Sequence, residues 1–369
     1  MEKIKVLIVD DSAVIRQLVK EILESDPGIE VVGVASDPIF AEKKLEKLKP
    51  DVITLDVEMP RMDGISFLKK LMKTNPVPVV MVSAHTDHHA AETIRALELG
   101  AVDFITKPKM NIAEGIEALR EEIVTKVKAA ARAKIRNKNT ARPSDGEIHL
   151  AVSPAYSVDE VVSKGRIRAA EPKDKMDSVI VLGASTGGTV AISDLLQLMP
   201  VDSPGIVIVQ HMPEKFTKAY ADRINGIVDL TVKEAEDGDR VKMGLVLIAP
   251  GGKHMLLQRD KKGFYVQIKD GPPVNRHKPS VDVLFRSAAN SVGKRAIGII
   301  LTGMGADGAK GMLELKEAGA FNIAQDEDSC VVFGMPKAAI EIGAVDKVAP
   351  IETMPALILG HAAGYRKPA

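Results

Sequence analysis

The chain has 369 residues, of which 45% are hydrophobic and 27% are charged. This length is too great for one ordinary core and favours two domains, and the composition excludes a disordered or fibrous protein. The 50 basic residues balance the 50 acidic ones, which disfavours nucleic-acid binding, and the single cysteine, Cys330, excludes an intrachain disulfide framework and a multi-thiolate metal site.

Short apolar runs alternate with amphipathic stretches over residues 3–133. The runs are rich in β-branched residues and are Lys5–Val9, Val31–Val34, Val52–Leu55, Val79–Val82 and Val102–Ile105. Strands of this kind separated by helices are typical of a doubly wound α/β fold with a five-stranded parallel sheet. Its binding crevice is expected at the carboxyl ends of the strands.

No apolar run in the sequence reaches the length that a membrane-spanning helix needs. The first residues, Met1 to Lys5, lead directly into a strand-like segment without the apolar stretch of a secretion signal. The sequence therefore predicts a soluble, cytoplasmic protein without direct membrane insertion.

The alternation fails between about Asn137 and Asp177, where charged and small residues and several prolines show no sustained period. We interpret this stretch as a linker, so the predicted organisation is a first domain at 1–136, a linker at 137–177 and a second domain at 178–369. The basic stretch from Ile123 to Ile135 favours a solvated helix end over a nucleic-acid patch.

Apolar runs resume after Ser178 and predict a second α/β domain with a mostly parallel sheet. They are Val179–Gly183, Gly205–Val209, Leu245–Ala249 and Ala296–Leu301. A turn signal at Asp260–Gly263 joins Met255–Arg259 to Phe264–Lys269, which predicts an antiparallel hairpin attached to this domain.

Polar side chains follow the strands of the first domain. Asp10 and Asp11 end the first strand and Asp56 the third, so three acids share one edge, and oxygen-only ligation at close range favours Mg²⁺. Ser83 ends the fourth strand and Lys107 follows the fifth, which brings two partners for phosphoryl oxygens to the same edge. The alternative for Asp10 and Asp11 is a helix N-cap with a neighbouring acid.

This stretch resembles response-regulator receiver domains, whose fold is flavodoxin-like, over their full length. The resemblance implies that Asp56 is the aspartyl-phosphate nucleophile and that Asp10, Asp11, Asp56 and the backbone carbonyl of Glu58 bind Mg²⁺. It also implies that Ser83 and Lys107 contact the phosphoryl group and that a histidine kinase supplies it. Many receivers have tyrosine where this chain has Phe104.

Three histidines, His85, His88 and His89, follow the fourth strand. His85 and His89 are spaced for one helix face, which is compatible with a metal site. The sequence shows no acid beside them except Asp87, so exposed histidines at a helix N-terminus are the favoured interpretation.

The first strand of the second domain runs into Gly183-Ala184-Ser185-Thr186-Gly187, which satisfies G-x-S-x-G and precedes a helical stretch. Glycines permit the sharp turn that exposes a nucleophilic serine, so the pattern predicts that Ser185 is a nucleophile. A glycine-rich nucleotide loop is the alternative, but neither dinucleotide nor P-loop spacing is present.

Two further strand ends of this domain carry chemistry. His211 follows the second strand, and Asp307 lies in the glycine-rich turn after Ala296–Leu301. Alone, each has an ordinary alternative, a core histidine and a helix N-cap. Together with Ser185 they predict a hydrolytic triad in which His211 is the base and Asp307 orients it. Backbone amides near Thr186 or Met304 are predicted to stabilise the oxyanion.

The chain order Ser, His, Asp differs from that of α/β-hydrolases. At Gly183–Thr189, Gln210–Pro213 and Leu301–Gly308 the chain resembles chemotaxis protein-glutamate methylesterases of the CheB family, and the receiver in front completes that architecture. The resemblance implies hydrolysis of glutamyl methyl esters on chemoreceptors with release of methanol, and in some members deamidation of receptor glutamines, with no cofactor for the esterase reaction. His254, His277 and the loop Pro272–Ser280 are candidates for the substrate rim.

The pairing of the two domains predicts a switch in which phosphorylation at Asp56 uncovers the groove near Ser185. Two other classes remain as alternatives, a receiver with a DNA-binding output and a non-catalytic signalling scaffold. The first needs a recognition helix and a basic face, which the second half lacks in its sequence. The second is distinguished by whether Ser185 reacts with an acylating or phosphonylating probe.

Overall fold

The computed structural model describes residues 3–84, 86–107, 116–133, 156–165 and 178–364. The chain divides into two compact units, Met1–Gly146 and Glu147–Ala369. No helix in the described ranges is both long and apolar enough to cross a membrane.

The first unit is a five-stranded parallel sheet with helices between the strands, as predicted. Its strands are β1 (Ile4–Val9), β2 (Ile29–Ala35), β3 (Val52–Asp56), β4 (Val79–Ser83) and β5 (Asp103–Thr106), in the order β2-β1-β3-β4-β5. Its helices are α1 (Ala13–Glu24), α2 (Pro38–Leu48), α3 (Gly64–Thr74), α4 (Asp87–Glu98) and α5 (Ile116–Arg132). The order reverses between β1 and β3, so their carboxyl ends open a crevice between helices.

The second unit contains a seven-stranded parallel sheet. Its strands are β6 (Val179–Ala184), β7 (Ile206–Gln210), β8 (Thr231–Glu234), β9 (Leu245–Ile248), β12 (Ala296–Ile300), β13 (Phe321–Gln325) and β14 (Lys347–Ala349), in the order β14-β13-β12-β6-β7-β9-β8. The four strands expected from apolar runs are β6, β7, β9 and β12. The central β6 lies between β12 and β7, which places three strand ends side by side.

The predicted hairpin is confirmed. Strand β10 (His254–Asp260) pairs antiparallel with β11 (Gly263–Lys269), and Arg259 lies opposite Phe264. The helices of this unit are α6 (Gly188–Gln197), α7 (Phe216–Asn225), α8 (Val281–Ser291), α9 (Ala309–Glu317), α10 (Met335–Glu341) and α11 (Met354–Gly364). The buried face of α8 joins the cores of the sheet and the hairpin.

Part of the segment that we interpret as a linker packs on the second unit. Val158 and Val161 are buried against Val274 and against residues of β10 and α8. The amide of Gly165 donates to Asn290 Oδ1 at 3.0 Å. Residues 134–155 and 166–177 lie outside the described ranges, as does Ile135 at the end of the predicted basic helix.

Candidate functional sites

Three aspartates lie together at the carboxyl edge of the first sheet. Asp10 follows β1 and Asp56 ends β3, and both are buried, whereas Asp11 is exposed. One carboxylate oxygen from each lies within 4.8 Å of the others. The N-cap of α1 is Ser12, whose hydroxyl accepts a hydrogen bond from the amide of Ile15. Asp10 and Asp11 are therefore not explained as the cap of this helix.

The charge in this pocket is poorly compensated. Burial raises the pKa of Asp56 to about 6, against the hydrogen bond from Lys107, which lowers it. Burial also raises the pKa of Asp10. Asp10 Oδ2 is buried, lies 3.7 Å from Lys107 Nζ and has no hydrogen-bond partner within the described ranges. Clustered carboxylates with this little compensation fit a divalent cation that prefers oxygen ligands.

In the structure Lys107 is hydrogen-bonded to Asp56, whereas Ser83 is hydrogen-bonded to Thr93. Lys107 Nζ donates to Asp56 Oδ2 at 2.7 Å, and although burial would lower the pKa of Lys107, this hydrogen bond and the carboxylate charges raise it. Ser83 Oγ accepts from Thr93 Oγ1 of α4 at 2.7 Å, and both side chains are buried. Phe104 in β5 is buried as well.

One of the three histidines contacts an acid that the sequence did not place beside it. His89 Nε2 lies 2.7 Å from a carboxylate oxygen of Glu58, and the His89 side chain is only 15% exposed. The expectation of an exposed histidine is therefore wrong for His89. The amide of Glu58 also donates to Asp56 Oδ1 at 3.4 Å. His85 and the side chain of His88 lie outside the described residues.

Ser185 lies on the tight turn between β6 and α6, which is the context that its motif requires. Gly187 precedes α6 with a φ of +78°, and a Cβ atom there would collide with Val331. The amide of Ser185 donates to the carbonyl of Thr302 at 3.0 Å and ties the turn to the end of β12. At position 187 only glycine can adopt the positive φ without a side chain that collides with Val331.

His211 occupies the strand position beside Ser185. The parallel register pairs Ala184 with Gln210, so the residues that follow them are neighbours. His211 Nε2 lies 2.8 Å from Asp307 Oδ2. His211 Nδ1 is buried and has no hydrogen-bond partner in the described part of the chain. In this ring Nε2 therefore contacts the acid, and Nδ1 is available to bind a reacting group.

Asp307 is buried at the N-terminus of α8 and has many donors. They are the side chains of His211, Asn275 and Ser280 and the amides of Val281 and Asp282. Burial would raise the pKa of Asp307, but the hydrogen bond and charge of His211 hold it well below its usual range. The N-cap position of its own helix, α9, is Gly308, so Asp307 does not cap α9.

Family models match both units. One described as "Response regulator receiver domain" matches residues 6–120, and one described as "CheB methylesterase" matches residues 180–358. A protein-glutamate methylesterase/protein-glutamine glutaminase of Geobacter metallireducens is 53% identical over 97% of this chain and 96% of its own. The chain belongs to the CheB family. One of Nitrosomonas europaea is 49% identical over 100% of this chain and 99% of its own.

Solved CheB structures resemble each unit separately. The methylesterase catalytic domain of Thermotoga maritima CheB covers 50% of this chain and 97% of its own, with 41% identity and a TM-score of 0.49. The response regulator domain from the same organism covers 36% of this chain and 99% of its own, with 47% identity and a TM-score of 0.33.

Of the rim candidates in this CheB-family chain, His254 is buried, whereas His277 is partly exposed and Pro273 and Arg276 of the loop are exposed. His254 is fully buried, and its Nε2 lies 2.9 Å from the carbonyl oxygen of Pro272. Burial lowers the pKa of His254, which keeps the ring neutral at neutral pH. His277 stacks on His211 with ring centroids 3.7 Å apart. The structure thus places His254 beneath the loop and His277 against the base.

The predicted oxyanion amides lie in the two turns that face each other across β6 and β12. Thr186 is buried, and its carbonyl accepts from the hydroxyl of Thr302 at 3.0 Å. Met304 follows Gly303, where a Cβ atom would lie 2.8 Å from the Cβ of Ser185. The Met304 amide makes no hydrogen bond within the described ranges.

Sequence reasoning missed the residues that surround the acid. Asn275, Ser280 and Asp282 contact Asp307, but the sequence placed Asn275 and Ser280 only in a candidate substrate rim and did not single out Asp282. The available signal was Asp282, an acid inside the otherwise apolar run Val281–Phe285. A buried acid in a helix implies a partner, but the sequence does not identify that partner.

Proposed function

We propose that this protein hydrolyses glutamyl methyl esters on chemoreceptors and releases methanol. The observation that carries the proposal is the His211–Asp307 pair, which lies beside a serine on a glycine-rich turn. The CheB-family relatives of this chain are named protein-glutamate methylesterases, which agrees with it. Ser185 Oγ attacks the ester carbonyl, and His211 Nδ1 takes its proton and returns it to the methoxide that leaves. Water then hydrolyses the acyl-enzyme by the same route.

Asp307 serves this cycle as a fixed anion. It holds the proton on His211 Nε2, directs Nδ1 toward the serine and stabilises the imidazolium that forms. The amides of Met304 and Thr186 stabilise the oxyanion, since both lie in turns that border Ser185. The same attack on a receptor glutamine would release ammonia and leave a comparable acyl-enzyme, so deamidation is a compatible second activity. The reaction needs no cofactor.

The proposed regulatory site is Asp56, which would accept a phosphoryl group from a chemotaxis histidine kinase. Asp10, Asp11, Asp56 and the backbone carbonyl of Glu58 would hold Mg²⁺, whose charge offsets that of the carboxylates and the phosphoryl oxygens. Lys107 would move from Asp56 to a phosphoryl oxygen. Ser83 would exchange its bond with Thr93 for another phosphoryl oxygen.

The proposed organisation keeps a receiver at 1–136, a linker at 137–177 and a catalytic domain at 178–369. We propose that the protein acts in the cytoplasm, where the kinase and the methylated receptor helices are accessible. In the proposed switch, the unphosphorylated receiver covers the groove near Ser185, and phosphorylation uncovers it. Deleting residues 1 to about 140 should then raise esterase activity, and unchanged or lower activity in a folded fragment contradicts inhibition.

The test is methanol release from methylated chemoreceptor membranes, with and without a small phosphodonor and Mg²⁺. Wild-type protein is compared with Ser185→Ala. Release that requires Ser185 and rises with the phosphodonor supports both proposed sites and their coupling. Ser185-dependent release without a response to the phosphodonor rejects the switch alone, and no release rejects the esterase.

A further inference from the structure

A tight turn places two side chains against the acid and the base of the proposed triad. The turn runs from Val274 to His277, whose backbone groups bond each other at 3.1 and 2.8 Å. Asn275 and Arg276 between them both have left-handed backbone, with φ of +49° and +70°. Asparagine tolerates this conformation, whereas arginine at the second position rarely adopts it. Backbone strain of this kind is found mainly where a site needs an exact geometry.

The amide of Asn275 joins two buried carboxyl groups. Its Nδ2 atom donates to Asp307 Oδ1 at 2.8 Å and to Asp282 Oδ2 at 2.7 Å, so both of its hydrogens are used. Asp282 Oδ1 accepts from the amide of Gly311 at 2.7 Å, which anchors this second acid on α9. One neutral side chain therefore lies between two carboxyl groups that would otherwise repel each other.

These contacts determine the orientation of Asp307. Its Oδ2 atom holds His211 Nε2, while its Oδ1 atom is held by Asn275 and by Ser280 Oγ at 2.9 Å. Rotation of the carboxylate about its bond to Cβ would break the contacts of both oxygens together. His277, at the other end of the turn, stacks on His211 with an interplanar angle of 8°. The turn thus restrains the acid directly and the base from one face.

We propose that Asn275 is a positioning residue of the esterase, whose side-chain amide bridges Asp282 and Asp307 and fixes the carboxylate that orients His211. This inference rests on the proposed function. It assigns Asn275 no contact with substrate. The amide acts through Asp307, so its loss should lower kcat and leave KM nearly unchanged.

Because the side-chain amide of Asn275 lies between charged groups, replacing it with aspartate should make the effect on activity depend on pH. Burial and then the charge of Asp307 raise the pKa of Asp282 to about 7. The hydrogen bond and charge of His211 and the charge of His277 favour the ionised form of Asp307. A carboxyl group at position 275 would add a third acid to this cluster, so its own proton would be held more tightly. Protonated, it could donate one hydrogen bond to Asp307, and ionised it could donate none.

The experiment compares Asn275→Gly and Asn275→Asp in the full-length protein. Both replacements keep a left-handed backbone accessible, and both remove the amide donor. The matched control is Asn290→Ala, which removes an asparagine whose side-chain hydrogen bonds, among the described residues, are to backbone groups of Gly165 and Ser163. Methanol release from methylated receptor membranes gives kcat and KM, and labelling of Ser185 by a phosphonylating probe gives its reactivity between pH 6 and 8.5. Thermal unfolding checks the fold of each variant.

We expect Asn275→Gly to lower kcat and the labelling rate by about a hundredfold, with KM within about twofold of wild type. Asn275→Asp should lose more activity at pH 8.5 than at pH 6, because only its protonated form donates. Asn290→Ala should match wild type. A folded Asn275→Gly protein with wild-type kcat overturns the proposal. Equal losses in both variants at every pH, together with lowered thermal stability, also overturn it in favour of a structural role.

Failure of the proposed function gives a different result. If wild type labels at Ser185 but releases no methanol, the receptor substrate is wrong, and the labelling rates still measure the effect of Asn275. If wild type and Ser185→Ala are indistinguishable in both assays, Ser185 is not a nucleophile, and the positioning role of Asn275 is rejected with it.

Discussion

The two units both bury carboxylates at the carboxyl ends of parallel strands, but the pKa values of these carboxylates shift in opposite directions. Asp56 and Asp10 lie in a pocket where burial raises both pKa values, with Lys107 beside both acids and Arg16 near Asp10. Asp307 is equally buried, yet the hydrogen bond and charge of His211 keep its pKa low. The first pocket is suited to take up a further positive charge, whereas the second already holds its charge in a fixed arrangement.

The difference follows from what surrounds each acid. Asp307 lies at the N-terminus of α8, whose first amides point at its two oxygens and favour negative charge. Asp10 receives one amide hydrogen bond, from Ser12 at 2.8 Å, and its other oxygen has no partner within the described ranges. A donor-rich carboxylate can orient a neighbour without moving. A donor-poor carboxylate retains attraction for a cation.

The largest effect should come from removing the fixed charge. We expect Asp307→Asn to lower methanol release by about 10⁴-fold, because the amide cannot stabilise the imidazolium and its Nδ2 group would face donors. The control is Asp346→Asn, which alters a partly exposed acid that accepts a hydrogen bond from the amide of Asn322 and pairs with Lys316. Initial rates on methylated membranes measure both. A loss below about tenfold in a folded Asp307→Asn protein would mean that the acid is not an essential orienting group.

How far the sequence could predict these sites depends on the range of the contacts involved. Ser185, His211 and Asp307 each follow a recognisable apolar run, and strand ends in a parallel sheet share one edge, so their proximity was predictable. The bridge from Asn275 to Asp282 was not, because it depends on the exact turn that precedes α8. Strands β8, β13 and β14 were missed for another reason, because Thr231–Glu234, Phe321–Gln325 and Lys347–Ala349 are short and have no long continuous apolar run.

The second prediction concerns the stability of the donor-poor pocket. The pKa of Asp56 is raised in the folded protein from 3.8 to about 6, so the folded form binds this proton more tightly than the unfolded form. Stability therefore falls as the pH rises from about 4 to about 6, and the ionised group costs on the order of 3 kcal/mol above that window. We expect Asp56→Asn to raise the unfolding temperature of the receiver by several degrees at pH 7.5 and to leave it nearly unchanged at pH 4.

Mg²⁺ supplies the control for this second prediction. Calorimetric unfolding of the full-length protein should show that Mg²⁺ stabilises the wild-type receiver more at pH 7.5 than at pH 5, because protonation competes with the cation. Asp56→Asn should weaken that response. An Asp56→Asn receiver that is less stable than wild type at pH 7.5 would show that the ion pair with Lys107 outweighs the cost of burial, and the contrast between the two units would then fail.

The smallest effect should come from Glu58→Gln, and it tests which atoms of the first pocket bind the cation. The Glu58 side chain is 64% exposed and pairs with His89, so its loss should change stability by less than about 1 kcal/mol. Because the proposed ligand is the backbone carbonyl, Mg²⁺ affinity measured by titration calorimetry should stay within about twofold of wild type. Asp11→Asn, which removes a proposed carboxylate ligand, should weaken binding by about tenfold or more.

If Glu58→Gln weakens binding as much as Asp11→Asn does, the carboxylate of Glu58 is a ligand. The cation would then lie toward His89 and Glu92, whose ligand atoms are within 4.8 Å of that carboxylate.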